Sequence, residues 1–226
     1  MLPFPVIINN RNRLTTTKNM VEQLIRLDPR QEIIILDNNS TYQPLIDWYK
    51  TIENRVDIRY LQNEGHLALW STGIYKEIGN YFIYTDSDIE LNPNLPYYYQ
   101  LNMYGLLQKY EMDKIALAIA INDLPDHYKY KNQVIRNEAR WWLEQVEPEI
   151  YKADTDTTFA LMRNINDNTY TSLRIARPDF ICKHVPFYLD LENLDEEETY
   201  YIQNCGERVT TQYTKQHKHK NEYNDV

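Results

Sequence analysis

The sequence predicts an α/β protein with a mostly parallel central sheet and helices flanking it. Two observations carry that expectation. Between residues 4 and 85, short apolar strand patterns alternate with helix patterns, and strand–helix–strand order implies right-handed crossovers between parallel strands. Polar clusters at 9–13, 37–40, 63–66 and 86–88 fall at the carboxyl ends of the four strands, where open α/β sheets bind ligands.

The elements follow in order. Residues 4–8 read as a buried strand. Residues 14–27 read as a helix, with Thr15 or Thr16 as N-cap, Met20, Val21, Leu24 and Ile25 on one face, and Asp28-Pro29 as the stop. A second strand at 32–36 runs into the turn Asp37-Asn38-Asn39-Ser40. A helix at 43–52, a strand at 57–61, the turn Asn63-Glu64-Gly65 and a helix at 66–78 come next. The fourth strand, 81–85, runs straight into Asp86-Ser87-Asp88. Residues two apart in an extended segment point the same way, so Asp86 and Asp88 share a face. Two adjacent carboxylates repel unless something positive sits beside them, and a hard divalent cation with a diphosphate is one solution. A plain turn or helix cap is the other reading.

The second half is less regular. Residues 94–110 read as a helix, 115–121 as a strand, 122–130 as a polar loop, and 133–146 as an amphipathic helix carrying Glu138, Trp141 and Trp142. Strands are expected at 157–162 and 170–176, and an extended stretch holding His184 at 180–189. No repeat or linker divides the chain. The expectation is a single domain over 1–205, made of halves 1–92 and 93–205, with a polar, flexible tail at 206–226.

The chain has 226 residues, enough for one domain with a sizeable core. Its net charge of −9 argues against a nucleic-acid partner, which would need a basic face. No apolar run is long enough to span a membrane, and Met1-Leu2-Pro3-Phe4-Pro5 does not resemble a signal peptide. Cys182 and Cys205 lack disulfide-framework or metal-site spacing, which suggests free thiols in a reducing, cytoplasmic setting.

These segments together resemble the GT-A nucleotide-diphospho-sugar glycosyltransferases, closest to the inverting enzymes of family 2, over roughly residues 5–190. Four matches lie in the first half: the first strand with Asn9-Asn10-Arg11-Asn12-Arg13, the second with Asp37-Asn38-Asn39-Ser40, Asn63-Glu64-Gly65 with Gly73 further on, and Thr85-Asp86-Ser87-Asp88, similar to the DXD metal motif. Two lie in the second: Asp154-Thr155-Asp156 before an apolar strand, and Cys182-Lys183-His184.

The resemblance implies a Rossmann-like GT-A fold with a smaller acceptor-side part, and a hexosyltransferase-like enzyme of glycan biosynthesis. It would move a sugar from a nucleotide donor, a UDP-sugar foremost, to a hydroxyl of a glycan or other acceptor. Asp86, Asp88 and His184 would hold Mn²⁺ or Mg²⁺, the imidazole favouring Mn²⁺. Asp156 would be the base, with Asp154 its nearest rival and Asp123 and Glu138 behind. Asn10, Arg11, Arg13, Asp37, Asn39, Asn63, His66 and Asp86 would bind the nucleotide, the two arginines at phosphate and Asp37 at the base or ribose. Asp37 also suits a purely structural Asx-turn. Tyr128, Trp141 or Trp142 would stack on an acceptor sugar. The chain departs from the family in lacking an obvious Glu-Asp pair and a Gln-x-x-Arg-Trp motif. A non-catalytic binding module of the same fold is the alternative. A sugar nucleotidyltransferase ranks lower, since residues 9–13 contain no glycine.

Overall fold

The structure is a computed structural model that describes residues 3–165 and 167–205. The expected tail at 206–226 lies outside the described residues.

The first half follows the sequence reading closely. Strand β1 (Val6–Asn10), helix α1 (Thr15–Leu27), β2 (Ile33–Asn38), α2 (Gln43–Ile52), β3 (Asp57–Leu61) and β4 (Tyr81–Asp86) form a parallel block with the order β3-β2-β1-β4. Alternation within the strands explains the layers. Val6, Ile8, Ile33 and Ile35 pack with Met20, Leu24, Leu45 and Tyr49 on one face of the sheet, whereas Ile7, Ile34 and Phe82 pack with Ala68 and Leu69 on the other.

β1, β2 and β4 each run past the expected end. The ladder continues through polar residues, pairing Asn10 with Asp37 and Asn9 with Asp86. These residues thus sit at strand tips, held by backbone pairing. Because β1 lies between β2 and β4, the chain order reverses there, and such a switch point opens a crevice at the carboxyl edge.

The expected helix at 66–78 is instead a chain of short pieces. A 3₁₀ turn (Gly65–Leu67) leads into α3 (Ala68–Ser71), and a second 3₁₀ turn covers Ile74–Glu77. Gly73, with φ of 77°, divides them, since a left-handed residue cannot continue a helix.

In the second half, β5 (Ile89–Glu90) leads to α4 (Tyr99–Lys109). This helix starts later than expected, because the Asn92 side chain accepts from the Asn94 N–H and holds a turn ahead of it. β6 (Lys114–Leu117) is followed by α5 (Lys131–Ala139) and a 3₁₀ turn (Arg140–Trp142), after which the chain turns into β7 (Gln145–Glu147) rather than extending the helix to 146. β8 (Ile150–Lys152), β9 (Ala160–Arg163) and β10 (Leu173–Ile175) complete a nine-stranded, mostly parallel sheet of order β3-β2-β1-β4-β9-β6-β10-β8-β7. β9 enters antiparallel between β4 and β6.

Outside the main sheet, β11 (Lys183–His184) pairs antiparallel with β5. Helix α6 (Glu196–Asn204) was not anticipated, its apolar pattern being masked by Glu196-Glu197-Glu198. Its start was legible, since Asp195 precedes Glu198 at capping-box spacing and accepts from the Glu198 N–H at 2.7 Å. Among the described residues no helix is long and apolar enough to cross a membrane.

Candidate active site

A cleft of about 360 Å³ opens at the switch point. Asn10, Arg11, Arg13, Asn63 and His66 line its first-half wall, Asp86 and Asp88 its floor, and Asp156 and His184 the opposite side. Most of the residues singled out from sequence therefore meet, although they come from five separate stretches of chain.

The acidic floor is built by the tip of β4 and the Ser87-Asp88 turn beyond it. The Asp86 N–H donates to the Thr157 carbonyl at 2.9 Å, and the Thr157 hydroxyl donates to the Asp86 carboxylate, so the two acidic loops are tied together. Asp88 is 8% exposed. The β5–β11 ribbon delivers His184 to it: His184 pairs with Ile89, the Val185 N–H donates to the Asp88 carbonyl at 2.9 Å, and His184 Nε2 lies 3.5 Å from Asp88 Oδ2. The His184 ring is braced edge-on by Phe187, with centroids 4.3 Å apart.

Electrostatics divides the two carboxyls. Burial raises Asp86, and the neighbouring Asp88 and Asp156 charges add to the rise. Burial is the largest single influence on Asp88 and would raise it too, but His184 and Arg13 together hold Asp88 below the usual carboxylate range.

The site fits a divalent cation in its donor chemistry. Asp88 Oδ1 and His184 Nδ1 are buried and have no hydrogen-bond partner, an arrangement that is costly unless something fills it. Oxygen and imidazole donors together suit Mn²⁺. In the side-chain conformations present, no three His, Cys, Asp or Glu groups among the described residues converge on one point, so holding an ion requires Asp86, Asp88 and His184 to reorient.

Asp156 stands exposed on the cleft wall, not partly buried as expected for a base. Its Oδ1 lies 3.4 Å from Asn168 Nδ2. Beneath it Lys114 is fully buried, and Nζ donates to the carbonyls of Thr155 (2.6 Å), Asp156 and Thr169 (3.0 Å) and to Asn168 Oδ1 (3.0 Å). Burial pulls the Lys114 ammonium down to about 8, while the Asp156 carboxylate opposes the fall.

Other expected residues fall elsewhere. Asp37 is 2% exposed and occupied internally, accepting from the Tyr49 hydroxyl at 3.0 Å and the Ser40 N–H at 2.8 Å; it lies outside the cleft. Asn39, at φ of 60°, is an exposed turn residue away from it. Asp154 is exposed and does not line the cleft. Asp123 is held by the Tyr188 hydroxyl and Lys183, whereas Glu138 lines the cleft but is paired with Arg174 at 2.9 Å.

Neither tryptophan faces the cleft. Arg140 covers the Trp141 ring, and Trp142 packs on Tyr151. Tyr128 does line the wall but is only 4% exposed, packed against Tyr130 and Phe187.

The two arginines differ. Arg13 is 2% exposed, ion-paired with Glu198 and stacked 4.0 Å from the Tyr201 ring, both on α6. Arg11 donates to the Asn38 carbonyl at 3.0 Å and the Asn204 carbonyl at 3.1 Å, and pairs with no carboxylate among the described residues. Sequence reasoning gave no individual role to Tyr201 of α6, to Thr157, or to Asn9, which it placed only within the 9–13 cluster and which hydrogen-bonds Asn38 and the Gly65 carbonyl.

The parallel block, the switch-point crevice and the acidic floor define a nucleotide-sugar glycosyltransferase fold of GT-A type. The chain belongs to glycosyl transferase family 2, whose profile matches residues 6–157. No curated protein matches it. Two solved structures are similar in fold. Mannosyltransferase PcManGT from Pyrobaculum calidifontis, in complex with GDP-Man and Mn²⁺, is 13% identical with a TM-score of 0.50; the match covers 88% of this chain and 60% of that one. GalNAc-T7, with UDP, GalNAc and Mn²⁺, is 14% identical with a TM-score of 0.52; the match covers 89% of this chain and 48% of that one. This chain therefore spans less than two thirds of either.

Proposed function

We propose that the cleft transfers a sugar, with inversion, from a nucleotide-diphosphate donor, a UDP-sugar foremost, to a hydroxyl of a glycan or other acceptor. One observation carries the reading: Asp86, Asp88, His184 and Asp156 line one cleft at the switch point of a family 2 fold.

The Asp-Ser-Asp segment is the DXD element of this reading. Asp88, with its unmatched Oδ1, together with Asp86 and His184 would hold Mn²⁺. The Mn²⁺ in both neighbouring complexes supports that choice. When bound, the ion supplies Lewis-acid neutralisation of the diphosphate leaving group. Arg11 lines the cleft without a carboxylate partner among the described residues and is available to a phosphate, whereas Glu198 matches Arg13. Asn63 and His66 line the donor end, where Asp37 is already occupied.

On the other flank, Asp156 would take the proton of the acceptor hydroxyl. A single displacement needs one base and no covalent nucleophile, and it inverts the anomeric centre. The first half thus serves the donor and the second the acceptor.

Asp156→Asn tests the assignment. Donor affinity should persist and transfer should vanish. Normal turnover would move the base to Glu138, the other carboxylate of the second half that lines the cleft, and donor binding without any turnover in the wild type would make the chain a binding module.

A further inference from the structure

Lys114 has no role in the chemistry above, yet it occupies an expensive position. A fully buried ammonium is strongly disfavoured unless its charge is offset, and Lys114 makes no ion pair among the described residues. Three carbonyls and the Asn168 side-chain oxygen offset it instead. Four acceptors around one Nζ use all three ammonium protons, whereas a neutral amine has only two to give.

The acceptors are not scattered. Thr155 and Asp156 belong to the loop that presents the acceptor-side carboxylate, and the neighbouring carbonyls are fixed in the same way. Arg174 Nη2 donates to the Asp154 carbonyl at 2.7 Å, and the Ser172 hydroxyl donates to the Ala153 carbonyl at 2.6 Å. With four successive carbonyls held by donors beneath the loop, the Asp156 side chain is left facing the cleft.

Asn168 adds a second route. Lysine can only donate, so the Asn168 oxygen must face Lys114 and the amide NH₂ must face the other way. That NH₂ is the group 3.4 Å from Asp156 Oδ1. Lys114 therefore sets both the backbone beneath Asp156 and the amide beside its carboxylate.

We propose that Lys114 is a positioning residue for the Asp156 carboxylate, acting through the Thr155–Asp156 carbonyls and through Asn168. This rests on the reading of Asp156 as the base. The role is one of aim: a base displaced by about 1 Å can lose roughly a hundredfold in rate while the donor binds as before.

Lys114→Met and Asn168→Ala test it, with Asp156→Asn as the reference. The assay is Mn²⁺-dependent nucleotide release from whichever UDP- or GDP-sugar the wild type turns over, alongside hydrogen exchange of the backbone amides. Both variants should lower kcat by roughly ten- to a hundredfold with KM for the donor unchanged, and should speed exchange at residues 154–158 while the β1–β4 block stays as protected as before. Unchanged kcat, or unchanged exchange at 154–158, in a protein that Asp156→Asn inactivates would overturn the proposal and leave the base assignment standing. Normal turnover in Asp156→Asn would overturn the base assignment and the proposal with it. If Lys114→Met does not fold, Asn168→Ala decides the matter alone, because it removes the relay and keeps the buried ammonium.

Discussion

His184 Nε2 lies 3.5 Å from Asp88 Oδ2, although 95 residues of chain separate them. The two-strand β5–β11 ribbon, outside the main sheet, makes the contact possible, and both residues line the cleft. Each member also keeps a buried polar atom without a hydrogen-bond partner, Asp88 Oδ1 and His184 Nδ1, and such atoms are costly to leave unmatched.

Asp88→Asn should therefore abolish the metal dependence of donor binding. It replaces a charged oxygen ligand with a neutral amide and removes the negative charge facing His184. Calorimetric titration of UDP in the presence of Mn²⁺ reads this directly, and retained Mn²⁺-dependent affinity would remove Asp88 from the ligand set.

Stability should depend on pH through Asp86. Burial and the Asp88 charge raise its carboxyl to about 7 in the metal-free fold. A group raised on folding stabilises the native state fully below its unfolded value, about 4 for Asp, and loses that contribution as pH climbs through the folded value. The wild-type melting temperature, measured against Asp86→Asn, should fall between about pH 4 and about pH 7 without metal. Saturating Mn²⁺ should reverse the trend, because the ion competes with the proton for the same oxygens. A metal-free difference that rises across that window would contradict the assignment.

The Arg13–Glu198 pair should be worth more intact than either half. Both side chains are buried, and removing one member of such a pair costs about 3–5 kcal/mol, whereas replacing both with apolar residues is close to neutral. Glu198→Ala should lower stability in urea far more than the double change Arg13→Met with Glu198→Leu. Equal losses would mean that the pair is not what anchors α6.

Helix α6 should behave as part of the domain. Glu197 accepts from the Leu14 and Thr15 N–H groups and from the Thr15 hydroxyl, capping an α1 terminus that has no cap of its own, and the Tyr200 hydroxyl donates to the Thr41 carbonyl at 3.0 Å. Truncation before Asp195 should lower the melting temperature sharply, and Glu197→Ala should lower it in part by uncapping α1. Unchanged melting temperatures in both would contradict the docking.

The first half of the fold was legible because its signals are local. Apolar runs such as Val6-Ile7-Ile8 and Ile33-Ile34-Ile35 are long enough to fix strands, and the polar ends of those strands marked the cleft. The misreadings arose where local pattern and tertiary demand diverge. Gly73 fits a helical stretch in sequence but adopts a positive φ that ends it. Trp141 and Trp142 had the chemistry to stack on a sugar, yet an arginine and a tyrosine claim their faces. Asp37 carried the right group at the right strand end, and the Tyr49 hydroxyl, 12 residues on, consumes it. Lys114 was invisible in principle, since nothing in Asp113-Lys114-Ile115 says that the ammonium will point inward.

The most direct test of the account is calorimetry of the wild-type protein with a panel of nucleotides and nucleotide sugars, once with Mn²⁺ and once with EDTA. The account calls for UDP or a UDP-sugar to bind with Mn²⁺ and to lose that affinity in EDTA. Equal binding in both buffers, or binding of none of the panel, would contradict the Asp86–Asp88–His184 site and the transferase reading built on it.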